Sequence, residues 1–333
     1  MTNMVCAVLG YGRMGKIHVS ALVRMPNISK VIVIDSDLLK RNEALQVSRK
    51  VSVYSDLGDC LTHVDVLNYI TISTPSEMHF EHLKLCMEFQ LNILVEKPFV
   101  VDMNTASSLL LSCINYKPLI GVGFIERYNS SVRKAREMIA GGKIGAPLEI
   151  HTRRWGLMPP NPDVGVSLDL ASHDVDICRF LLGHDYQEVF ARIAGFTKKF
   201  ESIAFVSGIS KRGTVISNSV SWRNTSKLRE VIVVGEFGSL KINTAISEVT
   251  LYQQSEPIVG YEGLKFIYGE KSIVATTIDH AKIEPIILEH LSFQAALVDG
   301  DINNIVSIQD ASESLRVIDA IHRSAKANLP IIL

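Results

Sequence analysis

Residues Val8–Gly15 read VLGYGRMG, and this short run decides the fold. Gly10, Gly12 and Gly15 stand in G-x-G-x-x-G spacing, directly after an apolar run and at the start of a helical pattern. The first glycine permits a tight turn, the second lets the backbone approach a pyrophosphate, and the third allows close helix–strand packing. Arg13 and Met14 lie inside the same loop, where the free N–H groups at a helix start favour an anion. Asp35 ends the next apolar run, 20 residues after Gly15. A carboxylate there accepts hydrogen bonds from a ribose and repels a 2′-phosphate. The cofactor expected is NAD rather than NADP, with Arg13 and Arg41 the cations nearest to a phosphate.

Outward from this loop, the first part of the chain alternates short β-branched runs with helical patterns. The runs are Val5–Leu9, Val31–Ile34, Val51–Tyr54, Val66–Ile72, Asn92–Val95 and Leu119–Val122. That order predicts a parallel sheet with crossover helices, its strands buried on both faces. From about Pro147 the texture changes to long alternating segments such as GTVISNSVSW and REVIVVG, which predict an antiparallel sheet. Two helices are expected near the end, Glu284–Leu297 and Ala311–Ala327. The chain has 333 residues, more than one core usually supports, so two domains are expected: 1–122 and 123–333. The last helix is free to pack back on the first.

Bulk properties exclude several classes. The formal net charge is -1, and no long block of Lys or Arg offers nucleic acid or an anionic membrane a partner. The five cysteines are scattered without a C-x-x-C pair, which predicts neither a zinc site nor a disulfide framework and fits a reducing compartment. No apolar run is long enough to span a membrane and no leader pattern is present, so a cytoplasmic protein is expected.

Two stretches carry chemistry. Ile93–Val101 reads ILVEKPFVV, an aliphatic run interrupted by Glu96, Lys97 and Pro98. These residues end a predicted parallel strand, at the edge where ligands bind in such sheets. Ser73, Thr74, Pro75 and His79 follow another strand at that edge and are placed on the cofactor's route. A lysine beside an oxidised nicotinamide has its pKa lowered toward the working range of an acid or base. The second stretch, Gly165–Ile177, reads GVSLDLASHDVDI. As a helix it puts Asp169, His173 and Asp176 on one stripe, and a histidine flanked by carboxylates suits proton transfer. The same spacing resembles metal ligands, but nothing completes a coordination shell, so no metal is expected there.

These features together resemble the glucose–fructose oxidoreductase/inositol dehydrogenase/MocA (Gfo/Idh/MocA) family. The likeness extends to GFIERYN at Gly123–Asn129 and to EPIILEHLSFQAAL near the end. It implies an α/β protein, an N-terminal Rossmann doubly wound parallel sheet followed by a C-terminal α+β domain with an open-faced, mostly antiparallel sheet. It further implies a homodimer or homotetramer, and hydride transfer from a secondary alcohol to the nicotinamide. Lys97 and His173 then act on that alcohol, with Asp169 orienting substrate or ribose and Glu96 beside the cofactor. Within the family the chain is similar to UDP-N-acetylglucosamine 3-dehydrogenase-like members. That similarity implies a sugar 3-hydroxyl as the reacting group, with Arg127, Tyr128, Asn129, Arg154 and Trp155 on the substrate side. Inositol or free-sugar oxidation is the alternative, and a dinucleotide sensor without turnover is a third.

Overall fold

The computed structural model describes residues 3–195, 199–254, 259–262, 265–268 and 273–333. They divide into two compact units, Met1–Tyr128 with Glu284–Arg316, and Asn129–Ile283 with Val317–Leu333. The sequence places the boundary at 122/123; contacts place it at 128/129 and return Glu284–Arg316 to the first unit.

The first unit is built on a six-stranded parallel sheet: β1 (Met4–Leu9), β2 (Ile28–Ile34), β3 (Val51–Tyr54), β4 (Tyr69–Ile72), β5 (Ile93–Glu96) and β6 (Ile120–Gly123). The spatial order is β3-β2-β1-β4-β5-β6, so the chain reverses its direction of travel between β1 and β4. The helices α1 (Arg13–Arg24), α2 (Leu38–Leu45), α3 (Leu57–His63), α4 (His79–Glu88) and α5 (Met103–Ser112) make the crossovers. Every residue of β4 and β5 is buried, as two covered faces require.

The fourth strand begins at Tyr69, where the sequence predicts Val66. Asn68 explains the delay: its side-chain oxygen accepts from the Val5 N–H at 2.7 Å, starting the ladder before regular pairing begins, while Val66 is 60% exposed.

The second unit opens with α6 (Ser130–Ala140). A tight turn at Ile125–Tyr128 precedes it, and the Asn129 side chain caps the helix by accepting from the Ser131 N–H. A nine-stranded sheet comes next, from β7 (Pro147–Leu157), β8 (Tyr186–Ala194), β9 (Ile203–Ser210), β10 (Val215–Ser221), β11 (Arg223–Gly235), β12 (Gly238–Asn243) and β13 (Glu248–Gln254). Strands β14 (Val259–Glu262) and β15 (Lys265–Tyr268) form a separate pair, while β16 (Ile273–Thr277) and β17 (Ile331–Ile332) edge the large sheet. Among the described residues all its pairings are antiparallel except β7 with β10. Its residues alternate: Ile150, Thr152, Val206, Ile216 and Val231 are buried, whereas Phe205 and Val215 of the other face are exposed. One face therefore packs inward and the other is open.

Helix α7 (Ser172–Leu182) lies in the second unit, and α8 (Pro285–Asp299) returns the chain to the first. Helix α9 (Ile308–Ala327) begins three residues before the predicted start, because the Ser307 hydroxyl accepts from the Asp310 N–H. Among the described residues no helix is long and apolar enough to cross a membrane.

Candidate active site

In the first unit the loop between β1 and α1 falls at the switch point of the sheet. Gly10 adopts φ +93, and a Cβ there would meet Thr74 Cγ2 at 2.8 Å. A Cβ on Gly15 would lie 2.0 Å from the Gly10 carbonyl oxygen. Gly12 differs, since a Cβ built on it meets nothing within 4 Å. Its glycine is thus demanded by neither packing nor backbone, and the open space lies at the N-terminus of α1. Among the described residues no side chain caps that helix start. Unfilled space over unshared N–H groups fits a pyrophosphate.

The glycines therefore predict a split. Gly15→Ala is expected to cost about 1–3 kcal/mol of stability through overpacking. Gly12→Ala should leave the unfolding midpoint near wild type while weakening NAD at least tenfold. Thermal unfolding beside NAD titration checks both; equal NAD affinity in Gly12→Ala and wild type would remove the pyrophosphate from this loop.

Asp35 closes β2 with its carboxylate buried. It accepts from the Tyr11 N–H at 2.7 Å and the Asp37 N–H at 2.9 Å, with Lys40 Nζ at 3.5 Å. Arg41, a candidate phosphate partner from sequence, instead donates to the Asp35 and Ser36 carbonyls at 2.6 and 2.9 Å. Arg13 is exposed and Met14 half-buried. Asp35→Asn keeps an acceptor for Tyr11 but removes the charge that repels a 2′-phosphate. The ratio of NADP to NAD dissociation constants should fall by tenfold or more, and an unchanged ratio would place discrimination elsewhere.

After β4, the buried Ser73 hydroxyl donates to the Gly10 carbonyl at 2.8 Å and so braces the glycine loop. Thr74 Oγ1 lies 2.9 Å from His82 Nδ1, and Pro75 is exposed. His79 is buried, with Nδ1 2.8 Å from the Pro98 carbonyl and Nε2 2.9 Å from that of Thr74. The ring thus ties the loops after β4 and β5 together.

The interruption in ILVEKPFVV is resolved by strand geometry. Successive side chains leave a strand on opposite faces, so Glu96 and Lys97 part company. Along Ile93–Val100, Lys97 alone is not buried, and the Lys97–Pro98 bond is cis. Glu96 turns inward at 5% exposure, its Oε1 2.9 Å from His18 Nε2.

Behind it lies a set of buried polar groups that no local motif announced. His18 Nδ1 is 3.0 Å from His290 Nε2, and His290 Nδ1 is 3.0 Å from Tyr69 Oη. The Gln294 amide donates to Tyr69 Oη at 3.0 Å, and Asn27 donates to Gln294 at 2.6 Å. Glu289 joins them from α8, fully buried. Burial, then the Glu96 charge, raises its carboxyl pKa well above the usual range. Burial, then His18, holds the pKa of His290 well below that of an ordinary imidazole.

In the second unit, Ser167–Ala171 forms a π-helical turn leading into α7. From Val164 to Arg179 every residue is buried except Asp169 and His173, which are half-buried. The Glu201 carboxylate accepts from the Ser167 N–H at 3.1 Å. It packs so closely on Gly165 that a Cβ there would lie 2.1 Å from it. Asp176, expected on the same stripe, is 1% exposed. The π turn ends at Ala171, so His173 and Asp176 both belong to α7, and packing covers Asp176 while leaving His173 half-buried.

Asp174, which sequence reasoning passed over, sits beneath. Its Oδ1 accepts from Arg154 Nε at 2.6 Å and its Oδ2 from the Thr152 hydroxyl at 2.9 Å. Arg154 is 4% exposed, so its guanidinium faces an internal carboxylate. Trp155 donates from Nε1 to Ser219 Oγ at 2.9 Å. Arg153 lies over the Trp155 ring and pairs with Glu230. Asn129, beyond capping α6, donates to the Thr244 carbonyl at 2.8 Å. In the first unit Arg127 pairs with Asp310 at 2.6 Å, and Tyr128 is buried.

Comparison with known proteins agrees with this architecture. Residues 4–124 match the Gfo/Idh/MocA description "Oxidoreductase family, NAD-binding Rossmann fold", and residues 132–241 match the Gfo/Idh/MocA C-terminal domain. The chain belongs to the Gfo/Idh/MocA family. Inositol 2-dehydrogenase of Mycolicibacterium gilvum is 30% identical over 193 residues, 57% of this chain and 55% of that protein. The chain thus matches little more than half the length of its first curated relatives, at 57% and 55%. Among solved structures, UDP-N-acetylglucosamine 3-dehydrogenase GnnA from Acidithiobacillus ferrooxidans superposes with TM-score 0.81 at 19% identity, covering 98% of this chain and 99% of that one. GenD2 from gentamicin A biosynthesis, in complex with NAD, gives TM-score 0.83 at 20% identity, covering 100% and 97%. These likenesses establish the fold.

Proposed function

We propose that this chain is an NAD-dependent dehydrogenase that oxidises a secondary alcohol on a sugar or cyclitol ring. The observation that carries the reading is the exposure pattern on α7 and its entry turn. Over sixteen otherwise buried positions, only an aspartate and a histidine four residues apart reach toward solvent. A core helix has no packing reason to open at those two alone.

NAD, when bound, supplies the hydride acceptor. The chain's own work is to hold it and to handle a proton. The glycine loop and α1 take the pyrophosphate, and Asp35 takes the ribose. His173 accepts the hydroxyl proton, Lys97 steadies the developing negative charge on oxygen, and Asp169 orients the ring.

The arginines bear on the substrate. Arg127 and Arg154 each face a carboxylate of the chain, whereas Arg153 shares Glu230 with Lys241. A guanidinium already neutralised adds little net charge toward a diphosphate, which favours an uncharged polyol ring, inositol or a free sugar. The second reading, a UDP-linked sugar oxidised at its 3-hydroxyl, draws support from the GnnA likeness. Incubating the protein with NAD and a panel of inositols, aldoses and UDP-sugars, while following NADH absorbance, separates them. Turnover with UDP-sugars alone would select the second reading, and none with any ring alcohol would overturn both.

A cytoplasmic homo-oligomer completes the proposal. The exposed face of the large sheet, with Phe205 and Val215, supports self-association, and light scattering on the purified chain tests it.

A further inference from the structure

We propose that His18, Glu96 and Glu289 form a closed binding site for a first-row divalent cation such as zinc, inside the first unit and apart from the cofactor loop. One ligand atom from each residue lies within 4.8 Å of the others, and all three residues are buried. They come from α1, the end of β5 and α8, elements far apart in sequence. Glu289 supplies the independent observation. It is 0% exposed, and neither of its carboxylate oxygens has a hydrogen-bond partner among the described residues.

A buried carboxylate without partners is costly, and a second carboxylate beside it compounds the cost. A divalent cation removes both penalties at once, because its two positive charges balance the two carboxylates. One atom each from Glu289, Glu96 and His18 gives three protein ligands, and the second Glu289 oxygen or a water would complete the four-coordinate shell that zinc takes.

The outer shell fits as well. A ligating imidazole usually donates its other ring N–H to a neighbour. With Nε2 on the ion, His18 Nδ1–H donates to His290 Nε2, 3.0 Å away. His290 Nδ1–H then donates to Tyr69 Oη, 3.0 Å further on. Tyr69 Oη has room to accept this as well as the Gln294 bond. Both imidazoles then carry their proton on Nδ1, and the Tyr69 hydroxyl keeps its own, turned toward Cys6.

The donor set also selects the ion. Calcium takes six to eight oxygens and magnesium keeps several waters, whereas this shell is buried and offers one imidazole nitrogen. Zinc, cobalt and manganese suit it best. Bound there, the ion would fasten α8 and α1 to the strand end from which Lys97 emerges.

The test uses the full chain, unfolded with a chelator and refolded with or without Co²⁺. One equivalent of Co²⁺ per chain is expected after gel filtration, with visible d–d bands, no thiolate charge-transfer band and a raised unfolding midpoint. Glu289→Gln should lower Co²⁺ affinity at least tenfold, and His290→Gln by about 10–100-fold, the usual cost of losing an outer-shell partner. Substoichiometric binding, a thiolate band, or equal affinity in wild type and Glu289→Gln would each overturn the site. If Glu289→Gln fails to refold, the wild-type stoichiometry and spectrum still decide. A wild type that refolds without retaining ion would mean that the two carboxyls share a proton instead.

Discussion

Replacing Lys97 or His173 by alanine is expected to cut turnover by about 10²–10⁴, the range for a lost acid–base group, with NAD affinity kept within about twofold. Both residues stand out by the same physical mark. Lys97 is the half-buried member of an otherwise buried stretch at the end of β5, and His173 is one of two along α7 and its entry turn. Lys97→Arg should recover little, because a planar guanidinium does not present the compact charge of an ammonium. Steady-state kinetics with the best substrate of the panel, set beside NAD titration, checks the set. Near wild-type turnover in either alanine variant would remove that residue from the chemistry.

The second large effect concerns stability. Asp174→Ala should cost about 3–5 kcal/mol, the usual penalty for breaking a buried ion pair by removing one partner. Arg154 would keep its charge at 4% exposure without that carboxylate. The Thr152 hydroxyl, which also accepts from Asn218 at 3.0 Å, would lose its acceptor too. Replacing both partners with apolar residues, as in Asp174→Leu with Arg154→Met, should restore most of the loss. Denaturant unfolding of the single and double variants measures the difference. A double variant no more stable than Asp174→Ala would mean that packing, not uncompensated charge, sets the cost. Asp174 adjoins His173, so turnover is expected to fall in the single variant as well.

Much of the first unit was legible because its signals are local. Gly10 needs a positive φ and Gly15 a missing Cβ, and both demands show as glycines at fixed spacing. The β-branched runs announce strands covered on both faces, and their order yields the parallel sheet with its ligand-binding edge. Asp35, at the end of the second run, needed no more than counting. Strand starts were less legible. The fourth waits for Asn68 to bond to Val5, a contact across 63 residues that composition does not display.

The candidate site divides along the same line. Residue type and strand position marked Lys97, and helical spacing paired Asp169 with His173. Asp176, spaced to join them, is covered by packing around α7, which local spacing does not display. Arg154 reads as an open cation in sequence, and only Asp174, 20 positions away, shows it to be an internal one. Glu96 and Lys97 look alike as an interrupting pair, yet the pleat turns one inward to His18 and leaves the other half-buried.

By itself, then, the sequence determined the Rossmann sheet and the nicotinamide dinucleotide of its family, and marked the edge where the candidate site is proposed. Those rest on backbone demands and periodicities that operate within a few residues. Tertiary structure alone decided which charges are paired inside the protein and which face outward. His18, Glu96 and Glu289 meet only when α1, β5 and α8 pack, and burial is a property of the assembled elements rather than of any one of them.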